Sequence, residues 1–363
     1  METKNLYLAM MLEFISWNCN KKDEINTSSN SESLKTSLNN GVQELTTAMN
    51  VISASAGYQV LVSAPDLTSK SAYLSPLDTI KRSIILADIA GEYNYKANTV
   101  KKGHISILRF FNKTAESPQM IVRLPEEKVK SWRTLLHFSS GDTLLNNNYV
   151  LNLSDYQYKF NWFVSFEYKM ASAIKIKDID VGVLKIQSSN NKTNGYSYAS
   201  EFAFPNGYAT KCQYTSGDTA ISGYAITQGT KILYEEKYTA IRNNPESRHR
   251  EKEFSLTIGN VLIVRKSISG QASLGSEKVY IGGVLQLKSK VEIVDKTTDP
   301  TDKCVSNQKR ELKITFDDGT SKTFTELAGA AINNISTLFA SMRQVNFAKN
   351  VIDWIAWDIY SKK

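Results

Sequence analysis

Cys19 is the residue whose sequence context most clearly predicts a covalent chemistry. It follows a short apolar segment, residues 6–17, and is followed at once by Asn-Lys-Lys-Asp-Glu and a stretch rich in Ser, Thr and Asn. This order is typical of an export signal that ends in a cysteine, whose thiol then becomes acylated. We therefore expect residues 1–18 to be a signal peptide, Cys19 to carry lipid and residues 19–33 to be a flexible tether.

A buried N-terminal helix with an unmodified Cys19 is the alternative. The apolar segment contains Glu13, and Asn18 stands before the cysteine, where signal peptidases prefer a small residue. The polar tract after Cys19 favours the tether, because it cannot bury enough apolar surface to order itself. The apolar segment is also too short to span a bilayer, which takes about 20 apolar residues in a helix.

The residues around Cys19 resemble the start of surface lipoproteins from Bacteroidota. In those proteins a short Lys/Asp/Glu cluster follows the cysteine, as it does here up to Glu24. The end of the chain is similar to large uncharacterised lipoproteins of the same group, with a basic segment, then Leu-Lys-Ile-Thr-Phe-Asp-Asp-Gly-Thr at 312–320, then a long helix. The resemblance implies a lipid-anchored protein of the outer membrane, exposed at the cell surface, and it implies no known activity.

The remaining thiols and the histidines offer little metal or redox chemistry. Cys212 and Cys304 could form one disulfide in an oxidising compartment, and two unpaired thiols are the alternative. The three histidines, His104, His137 and His249, each lack a second ligand at the spacing of a zinc site. We therefore predict no metal and no cofactor.

Acidic residues are the remaining candidates for catalysis. Pairs occur at 126–127, 235–236 and 317–318, and Asp178 and Asp180 lie two apart in a predicted strand. Two carboxylates can hydrolyse a glycosidic bond when the fold sets them across a cleft, and Asp178 with Asp180 could contribute to a calcium site. Turns or solvent-exposed positions explain each pair without a ligand. The sequence also lacks a nucleophile elbow, a phosphate loop and a dinucleotide fingerprint, so we predict a protein without enzymatic activity.

The chain is basic, with a formal net charge of +8. Its lysines and arginines are spread along the chain, and no nucleic-acid-binding motif accompanies them, so we predict no nucleic-acid partner. Solubility explains the charge most simply, and attraction to anionic headgroups is the alternative. The predicted partners are the membrane, through the lipid, and other outer-membrane proteins.

The most regular pattern lies between residues 156 and 170, where every second residue is large and apolar or aromatic. This period of two predicts a single long strand that bends within a large sheet. Six aromatic side chains in it are candidates either for the core or for the lining of a ligand pocket: Tyr156, Tyr158, Phe160, Trp162, Phe166 and Tyr168. We prefer the core interpretation, because a contiguous apolar patch of this size is rare on a soluble surface.

Helices are predicted on both sides of a β-rich region. Apolar residues three and four apart predict helices over 32–54 and, with a long terminal stripe, over 325–361. A capping serine and a proline in the first turn predict another helix over 75–91. Between turn signals the predicted strands are 104–111, 118–124, 156–170, 174–187, 197–204, 208–214, 220–227, 231–241, 252–258, 260–267, 279–281, 284–294 and 309–316.

The sequence therefore predicts an α+β protein in which N-terminal helices pack beside a large, twisted antiparallel sheet, a meander, wrapped around the long C-terminal helix. The predicted regions are the signal peptide, 1–18; the tether, 19–33; an N-terminal helical region, 34–100; a β-rich region, 101–324; and the C-terminal helix, 325–363. The preferred function is a lipid-anchored, non-enzymatic binding or assembly module. A carrier with a lipid or another apolar ligand between sheet and helix, and a surface glycan-processing enzyme, are the alternatives.

Overall fold

The computed structural model describes residues 33–58, 81–96, 106–129, 135, 144–161, 165–191, 195–242, 250–268, 277–295, 310–341 and 343–362. The helices named below are α1 (Leu34–Ala54), α2 (Leu86–Ile89), α3 (Phe324–Ser341) and α4 (Arg343–Tyr360). The strands are β1 (Lys81–Ile85), β2 (Gly91–Tyr95), β3 (Phe111–Ala115), β4 (Met120–Leu124), β5 (Tyr149–Asn161), β6 (Ser165–Ile176), β7 (Ile179–Asn191), β8 (Gly195–Ala203), β9 (Tyr208–Thr215), β10 (Thr219–Gln228), β11 (Lys231–Ile241), β12 (Glu251–Ile258), β13 (Val261–Ile268), β14 (Lys278–Ile281), β15 (Val284–Leu285), β16 (Lys290–Asp295), β17 (Arg310–Thr315) and β18 (Ser321–Thr323).

Of the described strands, fifteen belong to one mixed sheet, and β16, β17 and β18 form a smaller antiparallel sheet. The predicted α+β class is confirmed. The prediction of a wholly antiparallel sheet is wrong, because β4 runs parallel to β2. The chain passes from β2 to its antiparallel neighbour β3 and then returns along the opposite edge of β2, which makes β4 and β2 parallel.

The chain divides into two compact units. The first unit comprises Met1–Asn50 and Gln213–Ser336, and the second comprises Val51–Cys212 and Thr337–Lys363. Each unit thus combines segments that are far apart in sequence, whereas the predicted regions were consecutive. The predicted region boundaries themselves stay predictions.

In the first unit, α1 packs closely on the sheet. Its predicted span is confirmed to within two residues at the N-terminal end, and Leu38, Leu45 and Met49 on its apolar face are fully buried. At Gly41 an added Cβ would lie 2.9 Å from the carbonyl oxygen of Ile258 on β12. A glycine is therefore needed at this position, because any side chain would push the helix away from the strand.

The strands of the first unit form a regular antiparallel series. Strands β10 to β15 pair in sequence order, each with the next. The predicted turn at Gly259-Asn260 joins β12 to β13, and Gly259 has a φ of +57°, the left-handed conformation that glycine adopts most readily. This part of the predicted meander is confirmed.

In the second unit, β5 is the organising strand. One edge pairs along its whole length with β6. The other edge is shared, because β4 pairs with Tyr149–Leu153 and β1 pairs with Gln157–Asn161. A register shift between Leu153 and Asp155 changes which residues face the interior, so that Leu153 and then Tyr156 are buried. This bulge starts the aromatic row on the inner face.

The helix predicted over 75–91 is wrong in its described part. Residues 59–80 lie outside the described structure, but from Lys81 the chain forms β1, then the four-residue helix α2, then β2. Ile84 and Ile89, two residues of this region, are both fully buried. Pairing of β1 with β5 overrides the local helical pattern, because a ladder of hydrogen bonds and a buried face outweigh intrinsic propensity.

The strand predicted over 104–111 is also wrong in its described part. Residues 107 to 109 form one 3₁₀ turn, and strand β3 covers most of the residues that were predicted as a turn. Asp358 on α4 stabilises the 3₁₀ turn, because its Oδ2 accepts hydrogen bonds from the Ser106 hydroxyl (2.7 Å) and the Leu108 backbone N–H (3.2 Å). The residue that stabilises this turn therefore lies 250 residues further along the chain, where no local pattern can indicate it.

The single long strand predicted over 156–170 is a hairpin of β5 and β6. Tyr158 pairs with Tyr168, and Phe160 pairs with Phe166. Opposed residues in this register have the same parity, so the alternation of period two continues in phase from one strand to the next. The sequence pattern therefore cannot reveal the turn. Residues 162–164, which include Trp162, lie outside the described structure.

Two further predicted strands are divided. The strand predicted over 174–187 turns at Lys177 and Asp178, whose φ values are +51° and +64°, a conformation typical of tight hairpins. The strand predicted over 284–294 forms β15 and β16, which belong to different sheets.

The C-terminal helix predicted over 325–361 is two helices, α3 and α4. Met342, between them, lies outside the described structure. In the first unit, α3 buries Ala328, Ala331 and Ile335. In the second unit, α4 packs on the inner face of the β5–β6 hairpin. A sheet wrapped around one terminal helix stays a prediction.

Candidate functional site

The inner face of β5, β6, β7 and β8 carries three parallel rows of side chains. Directly opposed residues in antiparallel strands lie on the same face, and the register follows each row across all four strands. The inner row is Tyr156, Met170, Ile186 and Ser200; the middle row is Tyr158, Tyr168, Ser188 and Tyr198; the outer row is Phe160, Phe166, Asn190 and Tyr196.

Burial decreases from the inner row to the outer row. Three members of the inner row are at most 2% exposed, whereas Asn190 in the outer row is exposed and its three aromatic neighbours are only half-buried. The middle row is intermediate, with Tyr168 buried and its three neighbours half-buried. The face is therefore closed at one end and open at the other.

Asp353 on α4 closes the buried end of the face. Its Oδ1 accepts hydrogen bonds from the hydroxyls of Tyr156 (3.2 Å) and Tyr168 (3.0 Å). Its Oδ2 accepts a hydrogen bond from the Lys349 ammonium, one helical turn earlier, at 2.6 Å. Both carboxylate oxygens are thus bound, and the charge of Asp353 is balanced by a cation.

The two tyrosines of this cluster act as hydrogen-bond donors. Burial, together with the negative charge of Asp353, raises the pKa of Tyr156 and of Tyr168 well above the usual value. Both phenols are therefore protonated at neutral pH. The Lys349 ammonium also lies 4.6 Å from the centre of the Tyr168 ring, which adds a cation–π contact. The chemistry of the cluster is that of a structural joint between helix and hairpin.

Aromatic contacts extend from this cluster towards the open end. The ring of Tyr158 lies edge-on to Trp357 of α4, with centroids 4.8 Å apart, and edge-on to Phe166 at 5.4 Å. Phe166 in turn stacks on Tyr168 at 6.5 Å. These contacts fix the orientation of Phe166 in the outer row.

The outer row combines apolar rings with polar groups. Phe160 and Phe166 are adjacent, followed by the amide of Asn190 and the phenol of Tyr196, and on the other edge of β5 the register partner of Phe160 is Arg82 on β1. Three interstrand spacings of about 4.8 Å make the row about 14 Å long. A row of this kind can stack against a ligand and form hydrogen bonds with it.

The structure divides the predicted aromatic residues that it describes into buried and half-buried ones. Tyr156 and Tyr168 belong to the core, whereas Tyr158, Phe160 and Phe166 are half-buried. Sequence reasoning missed Asp353 and Lys349, whose only signal is a Lys/Asp pair four residues apart within an apolar helix. It also missed Asn190 and Tyr196, because only the strand register brings them beside Phe166.

Two of the three cysteines, Cys19 and Cys304, lie outside the described structure. Acylation of Cys19 and a disulfide between Cys212 and Cys304 therefore stay predictions. The Cys212 side chain interacts with that of Ser200. Burial raises the pKa of Cys212 to about 11, which makes it a poor nucleophile at neutral pH.

In three of the acidic pairs one member has a basic partner. Asp180 pairs with Lys175 at 3.1 Å, Glu126 pairs with Lys177 at 2.7 Å, and Asp318 pairs with Lys35 at 2.7 Å. Among the described residues no three or more His, Cys, Asp or Glu side chains come together as a metal site. The three histidines lie outside this part of the chain.

Glu236, in the first unit, is the exception, because it is a buried carboxyl group. Its residue is 8% exposed, and it accepts hydrogen bonds from the hydroxyls of Tyr234 and Tyr224. Burial raises the pKa of Glu236, and these hydrogen bonds oppose the shift. The rings of the two tyrosines lie 6.0 Å apart, so the carboxyl group is enclosed.

No helix in the described ranges is both long enough and apolar enough to cross a membrane. No protein-family model matches the chain, and no curated protein and no solved structure matches it.

Proposed function

We propose that the protein is a lipid-anchored, non-enzymatic binding module of the outer membrane, exposed at the cell surface, and that the outer row is its binding surface. The observation that carries the proposal is the decrease in burial across three rows of one sheet face. A core-forming face would be covered along its whole length. Here α4 covers the inner row, whereas Asn190 remains exposed.

The closed end of the face supports a rigid platform. Asp353, Tyr156 and Tyr168 join α4 to the hairpin through hydrogen bonds between groups that are mostly buried. Binding surfaces gain affinity when their side chains are held in position before the ligand arrives. Phe166 is held in this way through its contacts with Tyr158 and Tyr168.

The state of the buried acids supports a role without catalysis. A general acid or base must reach a substrate within hydrogen-bonding distance. Both oxygens of Asp353 already accept hydrogen bonds inside the protein, and Glu236 is enclosed by two tyrosines. These carboxyl groups are accounted for by structure alone.

The sequence around Cys19 supports the anchor. An apolar segment, a cysteine and a charged polar tract occur in the order found in exported lipoproteins. The lipid would hold the binding module at the membrane through residues 19–33, while the net charge of +8 favours approach to anionic surfaces.

The anchor is tested by metabolic labelling with an alkyne fatty acid in the native host. We expect label on the wild-type chain and none on Cys19→Ala, with Cys212→Ala as the matched control that keeps the label. Intact mass should also show loss of residues 1–18. Equal labelling of the wild type and Cys19→Ala would contradict the anchor.

The binding surface is tested with the full chain carrying Cys19→Ala, so that lipid does not contribute. We expect this protein to sediment with outer-membrane vesicles of the native host, and Asn190→Ala to weaken the binding. Gln187→Ala is the matched control, because it removes an exposed amide of the same strand, three residues earlier and on the opposite face. Equal binding by all three proteins, or binding by none, would contradict the proposal.

A further inference from the structure

We propose that the first unit binds a phosphate group between the guanidinium groups of Arg242 and Arg250, at the end of the β11–β12 ladder. Both arginines belong to the first unit, whereas the four residues of the outer row belong to the second. The proposal therefore goes beyond the proposed function and concerns a separate site with a different chemistry.

The two arginines converge on one turn. The Arg242 backbone N–H donates to the carbonyl oxygen of Asp218 (2.8 Å), and its guanidinium lies 3.9 Å from the Asp218 carboxylate. The Arg250 guanidinium donates to the carbonyl oxygen of Gly217 at 3.2 Å. The register of β11 and β12 places Arg242 opposite Arg250, one residue beyond the last pair of their ladder. Burial raises the pKa of Tyr238, and the nearby charge of Arg250 opposes this rise, so Arg250 lies on the face of Tyr238.

Positive charge exceeds negative charge at this end of the face. Lys252, two residues after Arg250, lies on the same face, because side chains alternate along a strand. In the described part of the chain, the acidic residue beside them is Asp218, whose side chain is 80% exposed and whose ion pair is therefore weak. The next charged pair along the face, Arg265 and Glu277 at 3.6 Å, balances itself. Opposed like charges repel, so an anion bound between the arginines would remove this repulsion.

Both arginines keep donors for a ligand. A guanidinium has five N–H donors in a planar fork, which matches the oxygens of a phosphate group. Within the described residues, the hydrogen bond of Arg250 uses Nη2, and the buried Nε of Arg242 has no hydrogen-bond partner. The Arg242 side chain is 37% exposed, so solvent and ligands can reach it. A buried donor without an acceptor is costly, and a bound phosphate oxygen would supply the acceptor.

Two guanidinium groups fit a phosphomonoester better than a carboxylate. A carboxylate has two oxygens and one negative charge, which a single arginine can satisfy with two hydrogen bonds. A phosphomonoester has three acceptor oxygens and a charge close to −2 at neutral pH. Such a group occurs on soluble molecules and on lipid headgroups, and the experiment separates these two sources.

The test uses the full chain carrying Cys19→Ala, and glycerol 3-phosphate as the probe. We expect calorimetry to give a binding isotherm, with affinity about tenfold lower after Arg242→Ala or Arg250→Ala, because each removes charge-assisted hydrogen bonds. Lys237→Ala is the matched control, because it removes one positive charge from the strand of Arg242 but on the opposite face. This control should bind the probe like the parent protein.

Vesicles distinguish a soluble ligand from a lipid headgroup. Phosphatidylcholine vesicles that contain phosphatidic acid display the same phosphomonoester on a membrane. Sedimentation with these vesicles, but not with pure phosphatidylcholine, and its loss after Arg242→Ala would assign the site to a headgroup. Binding of glycerol 3-phosphate without such sedimentation would assign it to a soluble phosphate. Either result supports the site.

Two results would overturn the proposal. The first is absence of binding to both the probe and the vesicles. The second is equal affinity of Arg242→Ala and Lys237→Ala, because net charge alone would then explain the binding. Removal of Arg242 also deletes the packing of its stem, so Arg242→Lys provides a second variant, with urea unfolding as a check on its fold. It keeps the charge and loses the fork, so it should still weaken binding; an affinity equal to that of Lys237→Ala would count against the site.

Discussion

The inner face of β5, β6, β7 and β8 has a closed end and an open end, and both ends contain tyrosine side chains. At the closed end, the phenols of Tyr156 and Tyr168 donate to Asp353, and Lys349 balances its charge. At the open end, Phe160, Phe166 and Tyr196 share a row with the exposed amide of Asn190. Residue type alone therefore does not separate the covered part of this face from the exposed part, whereas the position of α4 does.

The largest effect should come from removing the acid at the closed end. Asp353→Ala removes the carboxylate that pairs with Lys349 and accepts hydrogen bonds from two phenols, so we expect a loss of about 3 kcal/mol in the free energy of unfolding. Urea unfolding of the full chain measures this value. Asp155→Ala is the matched control, because Asp155 pairs with Lys169 on the exposed side of the same hairpin and should cost about 0–1 kcal/mol. Equal losses in both variants would refute the structural joint.

A smaller effect should follow from removing one phenol. Tyr168→Phe keeps the ring and its stacking but removes the donor to Asp353, and we expect a loss of about 1 kcal/mol. In the background of Asp353→Asn the same change should cost less, because the charged acceptor is already gone. A double-mutant cycle with no coupling energy would show that this hydrogen bond does not contribute.

Glu236 carries a second carboxyl group that accepts hydrogen bonds from tyrosines, and its contribution to stability depends on pH. Glu236 has two tyrosine donors but no basic group among the causes that shift its pKa, and burial raises that pKa. The folded state therefore retains the proton at pH values where the unfolded chain has lost it, so this contribution to stability is present below the ordinary glutamate pKa of about 4.3 and is lost as pH rises through the raised value. Burial raises the pKa of Tyr234, which faces Glu236, well above its usual value, so this phenol stays protonated throughout.

Glu236→Gln should remove this part of the pH dependence. We expect the variant to gain stability relative to the wild type as pH rises from 4 towards neutrality, and the difference to level off above the raised pKa. Thermal unfolding across this range provides the measurement. A difference that stays constant with pH would mean that Glu236 titrates alike in the folded and unfolded chains.

The smallest effect on stability should be at the open end. Asn190→Ala changes an exposed side chain with no hydrogen bond in the described structure, so we expect a change within about 0.5 kcal/mol. Urea unfolding beside Gln187→Ala measures it. A loss comparable to that of Tyr168→Phe would place the outer row in the core and remove the difference between the two ends.

Local pattern was sufficient to predict the elements whose partners are close in sequence. The period of α1 and the antiparallel strands β10 to β14, with their glycine turn at Gly259, follow from spacing and turn chemistry. The hairpin at residues 149–176 could not be predicted as two strands, because its register keeps the aromatic period in phase across the turn. Period alone therefore overestimates strand length whenever opposed residues share parity.

The predictions that were wrong concern elements that are stabilised by contacts between segments distant in sequence. Asp358 holds the turn near Leu108, and β1 forms where the local pattern favoured a helix because it pairs with β5. Asp353 lies in an apolar helix, and its tyrosine partners are almost 200 residues away in the sequence, so no local pattern identifies it. The candidate aromatics were found from the sequence, but their division into core and surface required the placement of α4.

The most direct test measures stability and vesicle binding on the same variant, Asn190→Ala in the unlipidated full chain. We expect an unchanged free energy of unfolding together with vesicle binding weakened about tenfold. Binding equal to that of Gln187→Ala would contradict it, because the open end of the face would then be surface without a ligand.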